Sequence, residues 1–168
     1  MIAFRDAAPA DAAALVDLAR TSFSETFGHL YQAEDLAAFL AGHTLARWTA
    51  ELADPAYSIR IGEAGAAAVA YAKLAPVSLP VEAIGPATEL RQFYILKPFQ
   101  GRGHADTLMA WVLDTARARG AEELFLSVFV DNHRARRFYE RYGFKEVGIY
   151  AFMVGNHADE DHLMRLAL

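Results

Sequence analysis

Two glycines separated by a single residue stand where a predicted strand leads into a predicted helix. The segment Gln100–Ala105 reads QGRGHA, follows the β-favouring run Glu89–Leu96, and opens the helical stretch Gly103–Arg119. Free backbone amides in the first turn of a helix, together with the positive end of its dipole, favour an anion such as pyrophosphate, and glycine permits close backbone approach. Arg102 adds a cation. The spacing predicts an anion-binding loop, although a loop that only needs positive φ would also select glycine.

The same segment departs from the fingerprint of dinucleotide-binding folds. That fingerprint is Gly-x-Gly-x-x-Gly, and Asp106 occupies the position of its third glycine. Because that glycine allows close packing of helix and strand, NAD or FAD is the weaker interpretation of this loop.

The elements around the loop alternate between strand and helix patterns. A first helix follows Pro9 and Asp11, the stretch 33–52 predicts one or two helices interrupted near Gly42, and a short helix covers 133–142. The predicted strands are Ile2–Arg5, Tyr57–Glu63, Ala67–Leu74, Glu89–Leu96, Leu124–Val130, Phe144–Tyr150 and His162–Leu168. This order predicts an α/β (α+β) protein with a mixed sheet and helices on both faces.

Composition limits the classes of protein that fit. The 168 residues, 54% hydrophobic and 22% charged, predict one globular domain spanning 1–168. A net charge of −5 argues against nucleic acid as the main partner and suits a cationic acceptor. With no cysteine, there is no disulfide, thiolate zinc site or cysteine nucleophile. No signal peptide or membrane span is recognised, so we expect a cytoplasmic protein without a membrane partner, as a monomer or homodimer.

The loop and its flanks resemble the GCN5-related N-acetyltransferase (GNAT) superfamily. The superfamily pattern [RQ]-x-x-G-x-[GA] is matched by Gln100, Gly103 and Ala105, and the resemblance extends to Phe93–Ile95 before the loop and Asn132–Phe144 after it. His104 stands where relatives have an aliphatic residue. The resemblance implies a mostly antiparallel central sheet of six or seven strands, with a splay between two central strands and acetyl-CoA as cosubstrate.

The resemblance also implies which residues bind CoA. The free backbone of the splayed strand would hold the pantetheine arm, the loop would hold the pyrophosphate, and Asn132 would meet the far end of the arm or only cap the next helix. The implied CoA-binding residues are Phe93, Tyr94, Ile95, Gln100, Gly101, Arg102, Gly103, His104, Ala105 and Asn132.

Three shorter stretches are similar to the PaiA-like polyamine-acetylating branch. They are Thr26-Phe27, Glu89–Ile95 and Phe152–Gly155. The implied acceptor is a small primary amine such as a polyamine, with Phe27, His29 and Tyr31 as its contacts. The acidic run 159–161, Asp-Glu-Asp, is either only a polar loop or a segment whose negative charge attracts a polyamine.

Two side chains are candidates for proton transfer. Glu89, at the cleft end of its strand, could take the proton of the acceptor amine, or it could form an ion pair with Arg91 on the same strand face. Tyr139 could donate a proton to the leaving thiolate, since it lies about 100° to the side of the apolar stripe 135–142 on its helix, or it could be a structural tyrosine.

The expected reaction is direct transfer in a ternary complex, because no cysteine is available for a covalent intermediate. Six histidines show no metal-ligand spacing, so we expect no metal. The alternatives are a peptide or protein N-terminal acetyltransferase, and a non-catalytic acyl-CoA-binding regulatory module.

Overall fold

The computed structural model describes all 168 residues and forms a seven-stranded sheet with five α-helices. The strands are β1 (Ala3–Asp6), β2 (Ser58–Ala64), β3 (Ala67–Ala75), β4 (Ala87–Ile95), β5 (Glu123–Phe129), β6 (Lys145–Val154) and β7 (His157–Ala167). The helices are α1 (Ala12–Phe27), α2 (Ala33–Leu40), α3 (Leu45–Ala53), α4 (His104–Ala118) and α5 (His133–Arg141). None of these helices has the length and apolar character needed to cross a membrane.

The strand order is β1-β2-β3-β4-β5-β7-β6, and every neighbouring pair is antiparallel except β4 and β5. That parallel pair is hydrogen-bonded only where Ala87–Glu89 meets Glu123–Phe125. Beyond this point β4 continues to Ile95 along β3 while β5 continues to Phe129 along β7. The two central strands therefore diverge, which confirms the expected splay and leaves one side of β4 without a strand partner.

Helices cover both faces of the sheet, as the element order predicts. On one face, α4 places Leu108, Met109 and Val112 against the central strands, at the i, i+1 and i+4 positions of a single buried stripe. On the other face, α1 and α3 enclose Trp48 and Tyr71, which are fully buried. The core under α4 includes Leu90 of β4 and Leu124 and Leu126 of β5, so it packs on both central strands where they separate.

A β-bulge shapes β4 just before the splay. Leu74 lies opposite Leu90 and Lys73 lies opposite Gln92, so Arg91 is an extra residue in this strand. A bulge bends its strand and increases the local twist. After it, Gln92 and Tyr94 share the face covered by α1 and α3, where Tyr94 stacks on Tyr71 at 5.7 Å between ring centroids.

The last two strands are longer than the sequence predicts. The residues 151–154 and 157–161 extend the final hairpin, and its turn contains Gly155 at φ +56°. The polar run 159–161 is thus part of β7, and the expectation of a polar loop is wrong. The whole run pairs with β6, whereas β5 reaches only Asp161, beyond which the Val130 amide donates to the carbonyl of Glu160. Alternation along β7 buries Asp159 and Asp161.

Candidate functional site

A cavity of about 850 Å³ opens where β4 and β5 diverge. It is walled by α1, β4, the loop before α4, the N-terminal part of β7, the end of β5 and the inner face of α5. The structure brings eleven of the predicted site residues into this wall: Phe27, Tyr31, Phe93, Tyr94, Ile95, Gln100, Gly101, Gly103, Ala105, Asn132 and Tyr139. One cavity therefore joins most residues predicted for the cosubstrate with two of those predicted for the acceptor.

Four predicted residues do not line the cavity: Glu89, His29, Arg102 and His104. His29 and Arg102 are exposed at the surface. The ring of His104 instead lies edge-on to Phe4, with 6.4 Å between ring centroids.

The loop before α4 presents free backbone donors. The amides of residues 101–106 donate to no acceptor in the protein, and the first amide of the helix to do so is that of Thr107, which bonds to the carbonyl of Gly103. Gly101 and Gly103 have φ values of +75° and +78°, and a Cβ at either would meet no atom within 4 Å. These glycines are needed for their left-handed backbone, and the resulting cluster of amides at a helix N-terminus is suited to an anion.

Gln100 fixes this loop to its surroundings. Its side-chain Nε2 donates to the carbonyl of Ile95 at 2.7 Å, and its Oε1 accepts from Arg134 of α5. The glutamine therefore connects the end of β4, the amide cluster and α5.

Sequence analysis missed a cationic wall on α5. Arg134, Arg137 and Arg141 all line the cavity, and Lys97 lines it from the loop side. The signal was present in the sequence, because positions 134, 137 and 141 are spaced i, i+3 and i+7 and so share one helix face. These cations lie on the same side of the cavity as the free amides, where they favour a polyanionic ligand.

Asn132 begins α5, with its Oδ1 accepting the amide hydrogen of Ala135 at 3.2 Å. Asn132 therefore caps the N-terminus of α5. The residue also lines the cavity, so the two roles left open by the sequence are compatible in this geometry.

Tyr139 is the one buried residue of α5. Its ring packs against Phe93, Phe138 and Phe144, at centroid separations of 5.6–6.4 Å. The prediction that Tyr139 lies to the side of a buried stripe is wrong, because Tyr139 is more buried than the predicted stripe residues Ala135, Phe138 and Tyr142. The hydroxyl forms no hydrogen bond within the protein and the residue lines the cavity. Burial raises the pKa of this phenol, so it stays protonated and can act as a proton donor.

Glu89 is enclosed in a local network beside the cavity, which its neighbours Leu90 and Arg91 line although Glu89 itself does not. Its Oε2 accepts hydrogen bonds from the Ser78 amide at 2.7 Å and the Ser78 hydroxyl at 3.0 Å, and its Oε1 accepts from Arg91 Nε at 3.2 Å. The side chain is only 6% exposed. The ion pair with Arg91, the alternative left open by the sequence, is therefore formed.

The far end of the cavity is aromatic. Phe23 lies at the centre of the group, with Phe39 at 4.2 Å and Tyr31 stacked at 5.9 Å between ring centroids. Phe27 and Phe152 complete it: Phe27 is in contact with Phe23, and Phe152 with Phe39. All five residues line the cavity. Rings in this arrangement surround an apolar chain and offer their faces to a cation.

Two buried carboxylates accompany these rings. Asp159 accepts a short hydrogen bond from the Tyr31 hydroxyl, and its Oδ1 lies 3.1 Å from His157 Nε2. Asp161 also lines the cavity, and burial raises its pKa to about 6, opposed by the neighbouring Ser127 hydroxyl and assisted by the charge of Asp159. Sequence analysis gave neither residue an individual role, although it left open that the run 159–161 attracts a polyamine.

Gln92 adds an acceptor to the same wall. Its Oε1 is buried and has no hydrogen-bond partner, and the residue lines the cavity. A buried carbonyl oxygen without a donor costs about 1–3 kcal/mol, which a ligand N–H could offset.

The chain belongs to the acetyltransferase (GNAT) family, whose family model matches residues 12–144. An uncharacterized N-acetyltransferase of Mycobacterium tuberculosis strain H37Rv is 35% identical over 132 residues, covering 78% of this chain and 81% of that protein. The expectation drawn from the loop and its flanks is confirmed at the level of the family.

Solved structures share the fold over the whole chain. The PaiA N-acetyltransferase of Thermoplasma acidophilum, crystallised with coenzyme A, has a TM-score of 0.78 at 18% identity and covers 100% of this chain and 99% of its own. Arabidopsis thaliana NAA60, in complex with a bisubstrate analogue, has a TM-score of 0.75 at 13% identity with the same coverages. At these identities the likeness describes the fold.

Proposed function

We propose that this protein transfers the acetyl group of acetyl-CoA directly to a cationic primary amine, with a polyamine as the first candidate acceptor. One observation carries the proposal: a single cavity joins a cluster of free amides at one end to aromatic rings and two buried carboxylates at the other. The first end suits a diphosphate, and the second suits an ammonium group.

At the cosubstrate end, the residues present fit CoA. The amides of 101–106 would hold the pyrophosphate, and the arginines of α5 would balance its negative charge. The side of β4 that has no strand partner, from Phe93 to Ile95, would hydrogen-bond the pantetheine arm. The thioester supplied by CoA would then lie near Tyr139, between the diverging strands. The CoA bound to the PaiA enzyme supports this assignment.

At the acceptor end, charge and shape favour an aliphatic cation. Asp159 and Asp161 are buried beside rings that can pack on methylene groups and on ammonium hydrogens, and Gln92 offers a further unpaired acceptor. A neutral alcohol of the same length would leave Asp161 without a compensating charge. Phe27 and Tyr31, predicted as acceptor contacts from the sequence, belong to this end.

The reaction requires removal of a proton from the acceptor. A primary amine with a pKa near ~10.4 is neutral only about one part in 10³ at neutral pH, a cost of about 4 kcal/mol for the attacking form. Tyr139 is the proposed acid: its hydroxyl donates a proton to the thiolate as the carbon–sulfur bond breaks.

The proposal is tested by measuring thiol release from acetyl-CoA with a panel of acceptors. The panel contains spermidine, 1,4-diaminobutane, butylamine, 1-butanol and short peptides with free N-termini. We expect release with the amines, highest with the di- and polyamines, and none with the alcohol. Preference for peptides would instead support an N-terminal acetyltransferase. Thermal stabilisation by CoA without thiol release on any acceptor would support a non-catalytic binding module.

A further inference from the structure

We propose that Asp161 is the catalytic base that takes the proton of the acceptor ammonium. This inference rests on the proposed function, and it assigns the base to a strand other than the one that carries Glu89. Asp161 is on β7, opposite Phe129 of β5 and Tyr150 of β6, at the end of the sheet where the cavity opens.

Asp161 differs from the other buried carboxylates in its hydrogen-bond and ion-pair partners. Glu51 is paired with Lys73 and Arg47, Glu89 with Arg91, and Glu123 with Arg165. Asp159 is occupied by Tyr31 and His157. Asp161 has no cationic ion-pair partner, although it is 6% exposed and lines the cavity. A buried carboxylate without a cation is costly to keep in a fold, and an incoming ammonium group would supply the missing charge.

The groups facing Asp161 come from four elements. Asp159 and His162 are its neighbours along β7, Ser127 approaches from β5, and Tyr94 of β4 lies close enough for the carboxylate to raise its phenol pKa. The fourth element is the short turn 28–30, which Tyr31 directly follows. The charge of Asp161 also raises the pKa of the Tyr31 phenol. Ser127 and His162 stabilise the charged carboxylate, whereas burial and Asp159 oppose it.

Tyr94 connects this base to the proposed acid. The pKa of its buried phenol is raised by burial and then by both Tyr139 and Asp161, so the Tyr94 side chain is in electrostatic range of each. Acid and base therefore both lie near the same β4 residue at the splay, and all three line the cavity. A thioester held along β4 would meet a proton donor on the α5 side and a proton acceptor on the β7 side.

The pKa of Asp161, raised to about 6, suits this role. A base should be mostly ionised at the working pH and should bind a proton as strongly as that condition allows. At neutral pH Asp161 is still largely a carboxylate, and it is a stronger base than an aspartate with the ordinary value near ~3.9.

The proposed step conserves atoms and charge. Asp161 takes one proton from the ammonium, and the neutral nitrogen forms a bond to the thioester carbonyl carbon. The carbon–sulfur bond then breaks, and the sulfur takes a proton from Tyr139 to give the CoA thiol. The nitrogen loses its second proton as the amide forms, which restores the Tyr139 phenol through solvent, and Asp161 releases its own proton to solvent.

The test compares Asp161→Asn with Glu160→Gln, its neighbour on the exposed face of β7. Both variants remove one negative charge from the same strand. We expect Asp161→Asn to lower kcat for the best amine by roughly 10²–10⁴-fold with unchanged CoA affinity, and Glu160→Gln to behave as wild type. The acidic limb of the wild-type kcat/KM profile, with an apparent pKa near 6 for the free enzyme, should disappear in Asp161→Asn. Addition of formate to Asp161→Ala should restore part of the rate.

Two results would overturn the assignment. One is a raised KM for the amine with an unchanged kcat and pH profile in Asp161→Asn, which would reduce Asp161 to an electrostatic contact. The other is a full wild-type rate in that variant. If wild-type protein acetylates no amine, the proposed function fails; if wild type is active and Asp161→Asn is equally active, only the base assignment fails.

Discussion

The substitution of Gly103 by alanine tests whether the backbone shape of the loop is what binds the cosubstrate. Gly103 has φ +78° and ψ −4°, a left-handed conformation that costs an alanine about 1–2 kcal/mol. A Cβ at this position would touch nothing within 4 Å, so no steric clash adds to that cost. Part of the cost is offset by about 0.4–1 kcal/mol from the lower entropy of the unfolded chain. We expect a net loss of about 1 kcal/mol, or roughly 2–4 °C in Tm.

Gly120 provides a matched control. It follows the C-terminal end of α4 at φ +80°, and a Cβ there also meets nothing within 4 Å. Gly120→Ala should therefore lose the same stability as Gly103→Ala, yet it lies at the opposite end of the helix from the free amides. The pair separates the cost of backbone strain from the effect on binding.

The binding assay is isothermal titration with CoA. If the loop of Gly103→Ala relaxes out of the left-handed conformation, one or more amide-to-phosphate hydrogen bonds are lost, each worth about 1.5–3 kcal/mol. We expect Kd to rise at least about tenfold for Gly103→Ala and to remain unchanged for Gly120→Ala. Equal CoA affinity in the two variants would refute the role given to the loop backbone.

Three further predictions follow from the site. Tyr139→Phe should lower kcat by roughly 10²-fold or more while calorimetry finds CoA affinity unchanged, and a normal kcat would remove the phenol from the mechanism. Arg137→Gln should weaken CoA binding several-fold at low salt and much less at high salt, whereas the exposed Arg117→Gln should have no effect on titration at either salt concentration. Asp161→Asn should be more stable than wild type at pH 7 by on the order of 2 kcal/mol, because burial raises the wild-type pKa to about 6 and makes the charged carboxylate unfavourable in the folded state. Chemical denaturation should show this advantage shrinking as pH falls from 6 towards 4, where the folded wild-type carboxyl binds its proton, and an advantage that does not depend on pH would contradict the argument.

The conformation of the loop before α4 could be predicted from its own residues. Gly101 and Gly103 have positive φ, which only glycine adopts readily, and they directly precede a helix with a clear apolar stripe. The strand and helix order was equally accessible, since each element has its own periodicity. These features depend on residues close together in the chain.

The carboxylates could not be assigned in this way, because their environments are created by distant segments. Glu89 appeared available from β4 alone, but Ser78, in the connection before that strand, encloses it. At Asp161 the run of charges hides the strand pattern, so the sequence allows a polar loop there. Its burial comes from pairing with β5 and β6, and the one local signal was that 159, 161 and the apolar Leu163 alternate along a single face.

The most direct test of the account is a crystal structure of the protein bound to CoA. The pyrophosphate oxygens should lie within hydrogen-bond distance of amides in the stretch 101–106, with the pantetheine arm along β4 and its sulfur near the Tyr139 hydroxyl. Phosphates bound elsewhere, with these amides still without a ligand, would contradict the proposed binding mode and the transfer reaction inferred from it.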